Sequence, residues 1–532
     1  MESWSAVQFS AEEFFKQLSN KYCIRNVLDQ GIVNLCDYIA GWGTNVTMVV
    51  EEDYVDRDYL DDYASYYVKC FQPYDRFCRR IHLFKNFDKE RFRRYLEGVI
   101  SADQVLKNPK EDYIGFVVAR PLPSAVIGRT VLRPPITAIT EEEEQKGKPS
   151  IRCVRNYEAN LKGMELSIKG LAFQEQDNVL AACATSALWS ALQLSTKRYS
   201  YRAPNISEIT LNATMYQSTS RPIPSGGLTV GQMCQAISAV GLVAEALEIY
   251  SRELDEKAKK YKWIYKLPFL AASYGYLRAG LPVVLAGKVE GLDYHAITLV
   301  GYDITDEEPN VNEMSIFDSK ADAHLRGSRI TSFYAHDDQV APYCKLPVLF
   351  DVMSEFPIQL ESRWKIGKKD GDDYRIFTPS MMITPLYHKI RVPFVSTLAS
   401  ATAFESILRF LLGEDFIFEW DIFLSSVNEY KKEISSRQGI PSGLRKRILE
   451  QKSPKFFWRL RTFLGDMEIC EMLSDATGME LSFQPHALYF FQDDLLKRMV
   501  TDYRPMQEVV AGNSDLLRML DFAHEEAYSQ SS

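Results

Sequence analysis

The chain has 532 residues, 46% hydrophobic and 25% charged, a balance that excludes a disordered, collagen-like or low-complexity protein. At roughly 150 residues per domain it has room for three or four domains, with cores that need neither disulfides nor metals. Its 62 basic and 71 acidic residues leave a formal charge of −9, so no global field gathers a polyanion, and Arg445-Lys446-Arg447 reads as a solvated helix face, not a nucleic-acid site.

The first residues, MESWSAVQFSAEEFFKQ, carry acids where a secretory leader needs a basic start and an apolar run. No apolar stretch approaches the ~18 residues of a membrane-spanning helix. The nine cysteines are scattered, odd in number and form no CxxC, which fits reduced thiols and a cytoplasmic protein with no membrane partner. Up to about residue 110 the chain reads as mostly helical. Tyr54, Tyr59, Tyr63, Tyr66 and Tyr67 fall at mixed helical spacings, the pattern of a packed face with hydroxyls at its rim. The period then shortens: YIGFVVARPLP (113–123) and GRTVLRP (128–134) read as two strands. EEEEQKGKPS (141–150) is the best linker in the chain. It sets the expected boundaries: an N-terminal segment 1–150, a central domain 151–350 and an accessory domain 351–532.

The central part alternates strands and helices. MELSIKGLAF, YHAITLVGYDI and MSIFD read as strands and AACATSALWSALQLS as a helix. TVGQMCQAISAVGL is a helix with Thr229 as N-cap and Gly241 just past its end. KLPFLAASYGYLRAGLPVVLAG is a helix, a Gly-Leu-Pro turn and a buried strand. The tail mixes helices (403–412, 442–451) with a hairpin of FFWRLRTFL and MEICEML around Gly465-Asp466.

A cysteine nucleophile needs a lowered pKa, a base and a donor for the oxyanion. Cys183 lies near the start of a helix that Asp177 or Asn178 would cap, among small residues, where the positive end of the helix dipole favours a thiolate. His295 opens an apolar strand after a loop. Asp318 ends MSIFD 23 residues later, a spacing that suits two adjacent antiparallel strands and a carboxylate that accepts the imidazole N–H. Each is weak alone; together, in this order, they are fairly specific. FYAHDDQVAPY (333–343) clusters His336, Asp337 and Asp338. No ligand spacing diagnostic of a metal accompanies them, so they read as a capped, hydrogen-bonded turn. No phosphate-binding, zinc or calcium motif occurs, and no cofactor is expected.

From Phe173 to Asp318, about 150 residues, the chain resembles the papain-like cysteine peptidases, closest to the bacteriocin-processing (double-glycine leader) peptidases and their relatives. Those have a Gln just before a helix-starting Cys, a Gly-x-Pro-Val strand, a His followed by Gly-Tyr, and a strand-end Asp. Here stand Gln176, Cys183, Gly280-Leu281-Pro282-Val283, His295 with Gly301-Tyr302, and Asp318. Three positions depart from the pattern: Ala184 replaces the usual Gly, Ser319 the usual Pro, and Gln176 precedes the cysteine by seven residues instead of six. Gln174 competes with Gln176 for the oxyanion role.

The resemblance implies an α+β fold: a papain-like domain with a Cys-bearing helix and an antiparallel sheet carrying His and Asp, flanked by helical and α/β segments. It implies a thiol hydrolase that cleaves a peptide or isopeptide bond of a protein or peptide substrate through Cys183, His295, Asp318 and Gln176. The large flanks suit a regulated or partner-tethered bacterial effector with a regulatory protein partner. The same triad also suits deamidation or transglutaminase-type acyl transfer, and a catalytically inactive scaffold is the reading from a different class.

Overall fold

A computed structural model describes residues 4–531 except 20–29, 124, 136–147, 178–181, 216–226, 256–259, 293, 308–312, 315–323, 363–373 and 480–484. The protein is a mixed α+β structure with an antiparallel barrel and several sheets. Six strands form the barrel, Val283–Val289, Tyr294–Ile304, Ile330–Asp337, Ala341–Phe350, Ile358–Ser362 and Arg375–Tyr387. Each pairs with the next, and the last returns to the first. A seventh, Leu242–Glu248, adds to the outside of Arg375–Tyr387. The barrel therefore continues past the boundary expected at 350, and its closing strand comes from the segment assigned to the accessory domain.

The first 110 residues correct the helical expectation, while the two strands read between 113 and 134 form as expected. Trp4–Gln8, Val46–Tyr54, Cys78–Lys85, Tyr113–Ala119 and Ile127–Leu132 form an antiparallel sheet, and Ala172–Phe173 is its sixth strand. The tyrosines do supply a helix, Arg57–Ser65, and a short 3₁₀ turn, Tyr67–Lys69, but these connect two strands. The pair Tyr113–Ala119 and Ile127–Leu132 was expected, whereas Val46–Tyr54 and Cys78–Lys85 escaped notice because both faces of the sheet are buried there. Met48 and Val50 pack under the helices Ala11–Leu18 and Gln30–Ala40, while Val49 faces Phe116 and Val118 on the other side. A strand buried on both faces shows a short apolar run with no alternation to betray it.

The helix Cys183–Arg198 lies between this sheet and the barrel. Every residue from Ala184 to Thr196 is buried, and Leu188, Trp189 and Leu192 join Phe116 and Val131 of the sheet and Val284, Ala296 and Ile383 of the barrel in one core. A helix buried all round has no solvent face to orient it, so contacts on both sides set its position. One is polar: Thr298 donates to the Ala187 carbonyl at 2.7 Å.

Beyond the barrel, Glu419–Ser426, Phe456–Leu464, Met467–Asp475 and Pro485–Phe490 form a second antiparallel sheet, with His324–Leu325 parallel at its edge. The expected hairpin turns at Gly465, whose φ of +60° favours glycine. The helices Val230–Ala239, with Thr229 capping Gln232 and Gly241 at φ +87°, and Ser442–Glu450 also form as expected. The helix Phe394–Leu412 is long and apolar enough, by length and composition, to cross a membrane, which corrects the expectation of no such stretch. It packs Leu398, Phe404 and Leu408 into the core, and its buried Glu405 accepts from the Trp420 indole at 2.6 Å.

Candidate active site

Cys183 is the first residue of its helix. The N-cap is Ala182, with no capping side chain, so the thiol sits at an uncapped positive helix end. Asp177, expected as a cap, instead accepts a hydrogen bond from the Tyr67 hydroxyl, and Asn178 lies outside the described residues. Cys183 is half-buried. Its side chain is hydrogen-bonded to that of His295, which is 5% exposed.

His295 Nε2 lies 2.9 Å from Asp337 Oδ1 and 4.0 Å from Asp338 Oδ1. An ionised carboxylate only accepts, so Nε2 carries a proton and the other ring nitrogen is left for the thiol. Strand pairing explains the meeting. Tyr294–Ile304 and Ile330–Asp337 run antiparallel with Thr298 opposite His336, which brings the start of one strand beside the end of the other.

Asp318, the expected orienting acid, lies outside the described residues, and Met314 before it is helical, not the start of a strand. Among the described residues the acid on the imidazole is Asp337. The signal for it was present in the acid pair after His336, and the turn reading is also right. Asp337 Oδ1 accepts from the Gln339 N–H at 3.0 Å, and the Val340 N–H bonds to the Asp337 carbonyl. One carboxylate caps the turn and holds the imidazole.

Burial alone would depress the pKa of His295, but the Asp337 charge and hydrogen bond, with help from Cys183 and Asp338, lift it well above the usual histidine value. Burial pushes Asp338 up to about 7; His295 opposes the shift and the Asp337 charge adds to it. His336 is pushed down to about 3 by burial, and its ring meets Phe173 and Tyr343 edge-on. Ligand atoms of His295, Asp337 and Asp338 lie within 4.8 Å of one another, a spacing a divalent cation can bridge, although the 2.9 Å contact is already a hydrogen bond.

Of the two oxyanion candidates, Gln176 is half-buried. Gln174 is 4% exposed, and its Nε2 has no hydrogen-bond partner. Both belong to the segment that runs from the sheet strand Ala172–Phe173 towards Cys183. Phe173 touches His336, and the Glu175 charge reaches Asp338, so this segment passes the acid end of the site. The arrangement is that of a thiol with an adjacent base and a carboxylate behind the base. No model of a known protein family matches the chain, and no curated protein sequence is similar to it.

Proposed function

We propose that the chain is a cysteine hydrolase of the papain-like kind, acting on a peptide or isopeptide bond of a protein substrate in a reducing, cytoplasmic compartment. The observation that carries this reading is the continuous line Cys183–His295–Asp337, with the thiol at a helix start and the imidazole almost wholly buried.

In this mechanism His295 takes the Cys183 proton, and the thiolate attacks the acyl carbon. The tetrahedral oxyanion meets the helix N-terminus and the Gln174 or Gln176 amide. His295 then gives its proton to the leaving amine, and the thioester forms as the C–N bond breaks. Water, activated by the same imidazole, releases the acid. Asp337 stabilises the imidazolium throughout and fixes its tautomer. A regulatory protein partner remains part of this reading because of the large flanking domains.

The test reads alkylation of each cysteine by iodoacetamide at pH 6, by mass spectrometry. An ordinary thiol, with a pKa near 8.5, is well under ~1% thiolate there. Because Asp337 keeps His295 protonated above its usual range, Cys183 should react at least tenfold faster than Cys70 or Cys234, which are also only partly buried. His295→Ala should remove most of that advantage. A Cys183 no faster than these two overturns the proposal.

A further inference from the structure

The segment that leads from the N-terminal sheet towards the nucleophile is held at Glu175 and Asp177 by groups from the first 130 residues. The Glu175 N–H bonds to the Ile127 carbonyl at 3.1 Å, and Glu175 Oε2 accepts from the Ile127 N–H at 3.0 Å. Arg120 donates through Nη2 to the Glu175 carbonyl at 3.0 Å, and through Nε to the Ala125 carbonyl at 2.9 Å. Two residues on, Asp177 accepts from Tyr67. The Tyr67 ring is 5% exposed and wedged between Tyr59, Tyr66 and Tyr74, with centroids 5.4–6.0 Å away.

Between the sheet and these anchors, the Gln174 Nε2 is buried and unpartnered. A buried donor without a partner is costly, and such groups persist where the surroundings hold them. Here Arg120 and Tyr67 do the holding, on the two residues that bracket the segment after Gln174.

We propose that the N-terminal sheet is a working part of the active site, in which Tyr67 and Arg120 are positioning residues that hold residues 174–177 so that the Gln174 amide meets the oxyanion of the acyl intermediate. This rests on the thiol-hydrolase reading. It makes the first 130 residues inseparable from catalysis and not a detachable targeting module.

The probe pair separates this claim from the one it rests on. Acylation by p-nitrophenyl acetate passes through a tetrahedral oxyanion: the S–C bond forms, the C–O bond to nitrophenolate breaks, and the thiol proton goes to His295. Alkylation by iodoacetamide displaces iodide from carbon with no oxyanion, so it reads only the Cys183–His295 pair. In the full-length chain, Tyr67→Phe removes one O–H and keeps the ring. It should slow acylation at Cys183 at least tenfold, leave alkylation within twofold, and leave the pH profile of alkylation unmoved. Adding Gln174→Ala to Tyr67→Phe should cost little more than Gln174→Ala alone, because the two act as one unit. Acylation unchanged in Tyr67→Phe, equal loss in both reactions, or fully additive losses each overturn the proposal. A wild-type Cys183 inert to both probes sinks the hydrolase reading, and this inference with it.

Discussion

Two of the places where the protein buries charge are built differently. In the C-terminal sheet Arg459 is 1% exposed, donating to Glu471 at 2.6 Å and through its other nitrogens to both Glu433 oxygens at 2.5 and 2.9 Å. The second Glu471 oxygen accepts from Tyr430. Beside it, Asp421 accepts from Tyr274 through one oxygen and from Arg461 through the other. Each of these carboxylate oxygens has a donor. Around His295, two adjacent acids share one imidazole, Asp338 Oδ2 has no hydrogen-bond partner, and Gln174 Nε2 has none either. Fully satisfied networks specify a fold, whereas unsatisfied groups and crowded like charges concentrate at sites of chemistry. The contrast supports reading the first as architecture and the second as the proposed site.

The contrast can be broken from either side. The largest effect belongs to Asp337→Asn, which keeps the geometry but favours the wrong imidazole tautomer and should lower the acylation rate by up to about 10⁴-fold. Asp318→Asn should then be mild; the reverse ranking would return the orienting role to Asp318. On the architectural side, Glu471→Gln leaves Arg459 short of a charge and should cost about 3–5 kcal/mol in denaturant unfolding, while Cys183 alkylation below the transition stays at the wild-type rate. Altered reactivity there would mean that the two networks are coupled. Gln174→Ala should lower acylation roughly 10²-fold, with Gln176→Ala mild. Two mild variants would leave the helix N-terminus as the main donor.

The smallest effect is a change of slope. Asp338 titrates near 7 in the folded protein and near 3.9 when unfolded, so the native state holds its proton through that window. Stability from this group is therefore lost as pH rises from about 4 to about 7, and is constant above. Asp338→Asn removes this loss, and its thermal midpoint should draw ahead of wild type across the same interval. Parallel melting curves would show that Asp338 ionises as freely in the folded chain as in the unfolded one.

Local pattern by itself settled the elements that carry their own signals. The Thr229 cap with Gly241, the turn at Gly465 and the strand opened by His295 are decided by residues within a few positions of one another, and so are legible without a fold. The helix begun by Cys183 is legible for the same reason, in its run of small and apolar residues. Tertiary structure decided everything that depends on which strands become neighbours. Asp337 reaches His295 because two strands pair with Thr298 opposite His336, a register fixed by the closed barrel and not by the 42 residues that separate the acid from the imidazole. The barrel closed with a strand from beyond 350 because Val283–Val289 had a free edge that Arg375–Tyr387 could pair, and no sequence interval records an unpaired edge. The N-terminal sheet showed only its strands Tyr113–Ala119 and Ile127–Leu132 in the sequence; Val46–Tyr54 and Cys78–Lys85 stayed hidden because burial on both faces erases the alternation that marks a strand. Its last strand then delivers residues 174–177 to the site, a placement set by hydrogen bonds from Arg120 and Tyr67, which lie 55 and 110 positions away along the chain.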